Sequence, residues 1–390
     1  MRRVLAALAL AAVAAPVAAA QTVPVTAGYT PQDKDERGLW QIMDDEEKKL
    51  KTSNFVMRDP ALNAYVRDVF CRTVGPQCAD VRIYLVRTPY FNASMAPNGM
   101  MVVYSGLFLR TRNEAQLAAV LGHEFTHYSG RHSVRLYRDI KDKTNTLAWL
   151  SIIPVGGLAA AGAMSVAQIG IIGSIGAFSR EMERDADTGS VELLAKAGYD
   201  PMAASRIWEQ LRAEMDATAA ERGKRSQKDR DGGLFATHPP TAERMTDLKA
   251  LAERQPPNPK ATDGQDAYRR ALAPHWPSFV DDQIKLNDFG ATELLLANLA
   301  SSGWTAELLF ARGELYRSRG RTEDFPAAAG FYRNAIAAGD PPIEAWRGLG
   351  LSLLRSGARE DGQGALKEYL KRNPAASDRA MLAMLAGVQP

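Results

Sequence analysis

Two histidines four residues apart with a glutamate beside the first, His123-Glu124-Phe125-Thr126-His127, constrain this chain more than any other feature. On a helix four residues make about one turn, so both imidazoles leave the same face and can hold a zinc ion with the Glu124 carboxylate alongside. The flanking sequence reads as one helix from Asn113 to Tyr128. Asn113 supplies an N-cap, Gln116 follows three residues on, and Leu117, Val120 and Leu121 recur at helical spacing. The motif is therefore expected on a buried helix, where a satisfied core histidine pair is the competing reading.

A tetrahedral catalytic zinc takes three protein ligands and leaves its fourth position to water. Downstream, Ser179 to Asp187 reads S-R-E-M-E-R-D-A-D. Glu183 and Asp187 lie four apart and share a face, so Glu183 can bind the metal while Asp187 accepts a hydrogen bond from a ligand imidazole. Glu181 and Asp185 form a rival pair on another face, and a solvated acidic surface would account for either pair.

S-R-x-x-E-x-x-A-D following H-E-x-x-H resembles the HtpX/CAAX-prenyl-protease type of gluzincin metallopeptidase, and that resemblance selects Glu183 over Glu181. Two further stretches agree. Asn92-Ala93-Ser94-Met95-Ala96-Pro97-Asn98-Gly99, leading into the β-like Met100 to Tyr104, resembles the family's edge strand beside the cleft. Thr237-His238-Pro239-Pro240-Thr241-Ala242-Glu243-Arg244 resembles its closing T-H-P-P-x-x-x-R motif. The match runs from about Asp35 to about Leu251. It implies an α+β, mainly helical fold with a small edge-strand sheet, one Zn2+ per chain on His123, His127 and Glu183, and Glu124 as general base. It implies as well that Asn92 and Ala93 pair with an extended substrate. His238 and Arg244 are candidates for oxyanion stabilisation, with His238 alternatively a fourth ligand that holds the enzyme inactive; ordinary fold contacts of a loop histidine and a helix arginine account for them equally. His132, five residues beyond His127, reads as a surface residue past the helix end.

Met1-Arg2-Arg3, an apolar run from Val4 to Ala20 and a small-residue site before Gln21 have the form of a secretory signal, so residues 1–20 are read as a signal peptide and the mature chain as periplasmic. Removing Arg2 and Arg3 takes the formal net charge from +3 to +1, which leaves no electrostatic case for nucleic acid. Cys71 and Cys78, an even count in an exported chain, are expected to form a disulfide.

A peptidase domain is read over residues 21–253 and a linker over 254–267, a Pro-rich stretch without apolar periodicity. Thr144 to Ser179 is free of charge. Leu158 to Phe178 would reach about 31 Å as a helix, yet a single span would put the two histidines and Glu183 on opposite sides of a membrane. The segment is therefore read as a hairpin on one side, either buried or in peripheral contact with membrane through 144–179.

Residues 268–390 read as helical and self-similar. Trp346, Gly348, Leu349, Gly350, Leu353, Gly357, Leu366 and Pro374 follow tetratricopeptide spacing, with an earlier copy at Gly313, Tyr316, Gly320, Ala328, Tyr332, Ala335 and Pro341. So short an array is expected to lean on the peptidase domain. The whole chain resembles the BepA-type branch of the family, periplasmic metallopeptidases with a tetratricopeptide tail. That resemblance implies proteolysis of misfolded or stalled envelope and outer-membrane proteins, with the repeats recruiting partners such as the outer-membrane assembly machinery. A chaperone or assembly scaffold with little proteolysis is the alternative, against which the intact Glu124 weighs.

Overall fold

The computed structural model describes residues 28–143, 178–226, 228 and 242–389. The expected signal peptide, the charge-free stretch but for Phe178 and Ser179, and the Thr237 to Thr241 part of the closing motif with His238 lie outside them. The described part is mainly helical with one three-stranded sheet, as the sequence implies.

The sheet is built from β1 (Arg82–Val86), β2 (Ala93–Met95) and β3 (Met100–Tyr104) in the order β1-β3-β2, with β1 parallel and β2 antiparallel to β3. β3 is apolar throughout because both faces are covered. Its alternation sends Met101 and Val103 to one core, and Met100, Val102 and Tyr104 to another under α1 (Lys34–Thr52). The four residues from Ala96 to Gly99 close the β2–β3 hairpin. Gly99 turns there with φ 84°, and a side chain in its place would come within 2.6 Å of the Asp80 carbonyl.

A buried polar knot ties α1 to this hairpin. Glu47 accepts from Arg82 Nε and Nη2 at 2.7 and 2.6 Å, from the Tyr84 hydroxyl at 2.6 Å and from Asn98 Nδ2 at 3.2 Å. Burial alone would raise its pKa, but Arg82 and Tyr84 outweigh burial and hold it at about 2.

The larger core lies on the other side of the sheet, among α2 (Pro60–Val74), α3 (Ser105–Arg110), α4 (Glu114–Ser129), α6 (Arg180–Ala197) and α7 (Ala203–Glu221). Between α4 and α6 runs α5 (His132–Lys143). Asp59 caps α2 from just before Pro60, the pairing of cap and N1 proline that fixes a helix start. Cys71 of α2 is bonded to Cys78 in the 3-10 turn that follows, with Cα atoms 5.0 Å apart.

After α8 (Ala242–Glu253) comes the stretch read as a linker, and it is held in place. Thr262 exchanges backbone hydrogen bonds with Gly198 and Asp200, and Ala115 N donates to Asp263 O at 3.0 Å. The same core then continues through α9 (Gln265–Leu272), α10 (Trp276–Ile284), α11 (Phe289–Leu299) and α12 (Ala306–Arg319) by way of Tyr268, Leu272, Phe279, Val280, Ile284, Leu296 and Leu315. Phe279 stacks on Phe108 with ring centres 6.1 Å apart, and the Tyr268 hydroxyl donates to Phe108 O at 2.7 Å. Arg110 is a buried hub between the two parts: it bonds Glu214 of α7, Gln283 of α10 and the carbonyls of Pro89 and Gly106. Beyond α12, helices α13 (Asp324–Ala337), α14 (Glu344–Arg355), α15 (Arg359–Arg372) and α16 (Arg379–Ala386) pack in sequence around two small cores of their own.

Two outcomes are expected. Burying seven side chains from Tyr268 to Leu315 is worth on the order of 10 kcal/mol gross, as much as a typical domain's net stability. A chain ended at Arg254 should therefore lose its cooperative melting transition, and an unchanged transition would show that α9 to α12 contribute nothing to the peptidase core. The depressed pKa of Glu47 contributes stability present above its unfolded value of 4.5 and lost as pH falls toward about 2. Glu47→Gln should lower the melting temperature at pH 7 and flatten its decline between those two values; parallel acid profiles for variant and wild type would refute this.

Candidate metal centre

The H-E-x-x-H helix is α4, and it starts as its sequence dictates. The Asn113 side chain accepts from Gln116 N at 2.9 Å while Gln116 Oε1 accepts from Arg112 N at 2.7 Å, so two otherwise unsatisfied amides at the helix start are met. His123, Glu124 and His127 are buried on it. The second carboxylate-bearing helix, α6, is capped by Ser179 and closed by Gly198 in the left-handed conformation with φ 79°. α4 and α6 meet closely where α6 carries Gly189. A Cβ there would stand 2.5 Å from Thr126 Oγ1 and 2.6 Å from Thr126 Cγ2. One turn C-terminal to Asp187, the Ser190 hydroxyl donates to Ala119 O at 2.7 Å and fixes the register of the two helices.

That packing brings His123, His127 and Glu183 together, with one ligand atom from each within 4.8 Å of the others. His123 Nε2 and His127 Nε2 are 3.1 Å apart; Glu183 Oε2 lies 3.6 Å from the first and Glu183 Oε1 3.5 Å from the second. Tetrahedral zinc with bonds of about 2.05 Å would space its ligands by roughly 3.3 Å, so this triangle has the size that the ion requires. Donor type fits too, since two imidazoles and a carboxylate suit zinc. Glu181 and Asp185, the rival pair, are exposed and lie toward α5, with Asp185 Oδ2 3.9 Å from His132 Nε2 and Glu181 Oε1 3.8 Å from Arg135 Nη2.

Asp187 Oδ1 sits 3.1 Å from His123 Nδ1, on the side of the ring away from His127. Arg244 of α8 grips Asp187 with both arms of its guanidinium, Nε to Oδ2 at 2.8 Å and Nη2 to Oδ1 at 2.7 Å, while Nη1 lies 3.2 Å from Glu183 Oε2. Trp208 of α7 lies under the same guanidinium at 4.0 Å. Burial would raise the Asp187 pKa, but Arg244 and His123 bring it below the ordinary value. Burial and the Arg244 cation both oppose a charge on His123, yet the carboxylates of Asp187 and Glu183 prevail and lift its pKa to about 9. The cluster is thus built to welcome positive charge.

Glu124, Asn92 and Ala93 line one cleft with His123, walled by Phe91 and Trp208. β2 is an edge of the sheet, with no described strand on its outer side. Two residues were hidden from sequence reasoning. Trp208 belongs to no motif. His132, read as a surface residue, is instead 2% exposed: the chain turns at Gly130 and Arg131, α5 begins, and its first residue folds back against His127. No local signal marks it: Gly130 keeps a right-handed conformation, and the residue that turns the chain is Arg131, at φ 54°.

Paired histidines on one helix with a glutamate ligand supplied by another define the class of metallopeptidases to which such a site belongs. Residues 56–252, just over half of the chain, match peptidase family M48, and the chain belongs to that family. It is 28% identical to the beta-barrel assembly-enhancing protease of Yersinia pestis over 229 residues, 55% of this chain and 44% of the relative. It is 26% identical to the protein of that name in Escherichia coli K12 over 223 residues, 54% and 43% of the two chains. The mitochondrial metalloendopeptidase OMA1 of Schizosaccharomyces pombe is 28% identical over 195 residues, 50% and 51%. The chain spans about half the length, or slightly less, of these relatives.

The contact at Gly189 makes a test of the helix packing. Gly189→Ala should cost about 1–3 kcal/mol through overpacking and weaken zinc binding by moving Glu183 away from the imidazoles. Adding Thr126→Ala, which removes the colliding atoms, should restore both; no change on Gly189→Ala in melting temperature or zinc affinity would contradict the argument.

Proposed function

We propose that this chain is a zinc-dependent endopeptidase of the cell envelope. It acts on misfolded or stalled envelope and outer-membrane proteins, and its C-terminal helices recruit partners. The observation that carries the activity is the ligand-sized triangle of His123, His127 and Glu183 beside a buried glutamate in a cleft. The substrate class rests on likeness to beta-barrel assembly-enhancing proteases, and export on the signal-like start of the sequence.

His123, His127 and Glu183 would hold a zinc ion, which when bound would supply Lewis acidity for a peptide carbonyl and for a water, whose pKa it would bring toward about 7. Glu124 takes the proton of the attacking water on its carboxylate and passes it to the leaving amine. Asp187 accepts from His123 Nδ1, which leaves the Nε2 lone pair for the ion. Arg244 acts through Asp187 and Glu183, holding both carboxylates in place and keeping Asp187 ionised. Asn92 and Ala93 offer the substrate main chain an edge to pair with, a recognition that reads backbone rather than sequence. Phe91 and Trp208 narrow the cleft against water. His238 is a candidate for the developing oxyanion, for a displaceable ligand position or for an ordinary loop contact, and His238→Ala separates the three: faster cleavage with weaker zinc binding marks the ligand, slower cleavage with unchanged zinc the oxyanion role, and no effect on either the loop contact.

Glu124→Gln should abolish casein cleavage, by at least about 100-fold, and still bind one zinc per chain, because a base is lost and no ligand. His123→Ala, His127→Ala and Glu183→Ala should lose the metal as well. Turnover near wild type by purified Glu124→Gln would overturn the mechanism; a zinc-loaded wild type that cleaves neither casein nor short peptides would favour the scaffold.

A further inference from the structure

The two histidines of the metal centre are backed differently. His123 has Asp187 behind its Nδ1, a carboxylate partner that family-wide chemistry would lead one to look for. Behind His127 stands a third imidazole. His132 Nδ1 lies 2.9 Å from His127 Nδ1, with the rings nearly perpendicular at 81° and their centres 4.9 Å apart. His127 Nε2 meanwhile faces inward, toward His123 Nε2 and Glu183 Oε1. A hydrogen bond between two Nδ1 atoms needs one to donate and the other to accept. Were His127 the acceptor, its Nε2 would carry the proton of the neutral ring and point it into the cluster, where no lone pair would be left for a cation.

We propose that His132 is a positioning residue for the metal centre: its Nδ1 accepts the Nδ1 proton of His127 and so fixes the tautomer in which His127 Nε2 presents a lone pair to the ion. This rests on reading His127 as a zinc ligand. The His132 tautomer it requires has its own proton on Nε2, and that atom lies 3.9 Å from Asp185 Oδ2, a carboxylate that favours it. The ring is held for the task. His132 is 2% exposed, Phe178 stacks on His127 at 4.0 Å and meets His132 edge-on at 6.2 Å, and a Cβ on Gly130 would come within 2.6 Å of His132 Nε2. Gly130 has φ −78° and ψ −2°, which any residue adopts, so what an alanine there would disturb is the position of the imidazole.

The experiment is zinc affinity by chelator competition on the full chain, with the spectrum of the cobalt-loaded protein as a second readout. Melting of the metal-free proteins establishes that each variant folds. His132→Leu, which offers no acceptor, should weaken zinc binding by about 10–100-fold and alter the cobalt spectrum, as loss of a ligand's hydrogen-bond partner does. His132→Asn, whose side-chain oxygen falls near the Nδ1 position, should recover most of that loss. Gly130→Ala, which displaces the ring while keeping its chemistry, should fall between them and serves if His132→Leu does not fold. Wild-type affinity in His132→Leu or Gly130→Ala, or an equal loss in His132→Asn and His132→Leu, would overturn the proposal. If the wild type binds no zinc that His127→Ala abolishes, the metal centre itself has been misread, a result distinct from failure of His132.

Discussion

One buried guanidinium holds the two acidic side chains of the site. Arg244 reaches from α8 to α6, grips Asp187 with two hydrogen bonds, approaches Glu183 and rests on Trp208 of α7. Taking such charges out of water is costly, and only full pairing with good geometry offsets it. The consequence is specificity of placement. Without Arg244, Asp187 and Glu183, one turn apart on the same face of α6, would lose the guanidinium that holds both, and their placement against the histidines would no longer be fixed.

The remaining architecture supplies what that ion pair cannot. Close approach at Gly189 sets the depth at which α6 lies on α4, and the sheet with its α1 cover fixes the cleft edge at β2. α1 also reaches the metal side of the molecule, because buried Glu36 bonds Arg131, which has φ 54° in the turn that returns His132 to His127. That turn is an unfavoured conformation for a residue with a side chain, and the ion pair holds it.

Much of this was legible in the sequence because local rules and tertiary needs agree there. The α4 cap, the spacing of His123 and His127 and the buried β3 each follow from periodicity and capping chemistry that act within a few residues. Glu183 was a different matter: residue pattern left it level with Glu181, and only a family resemblance separated them, since which face of α6 turns inward depends on a contact with Thr126 far away in sequence. His132 was misread for the same reason. A chain reversal two residues before it decides its fate, and nothing in the periodicity of α4 announces where the reversed chain will point. The stretch after Arg254 looks like a linker by composition, yet its backbone bonds to Gly198, Asp200 and Ala115 are invisible in prolines and polar residues.

The shared core across that stretch makes Arg110 a rivet between the catalytic and C-terminal halves. Its guanidinium fastens α10, through Gln283, to the Pro89 carbonyl, and Pro89 stands two residues before Phe91 in the wall of the cleft. Arg87, the residue after β1, grips Asp282 of the same helix. A force or a shift applied to α10 is therefore delivered to both ends of the segment that leads into the cleft, with little slack in between. The C-terminal helices are mechanically part of the rim of the cleft, a lever joined to the jaw, rather than a handle hung from it by a string.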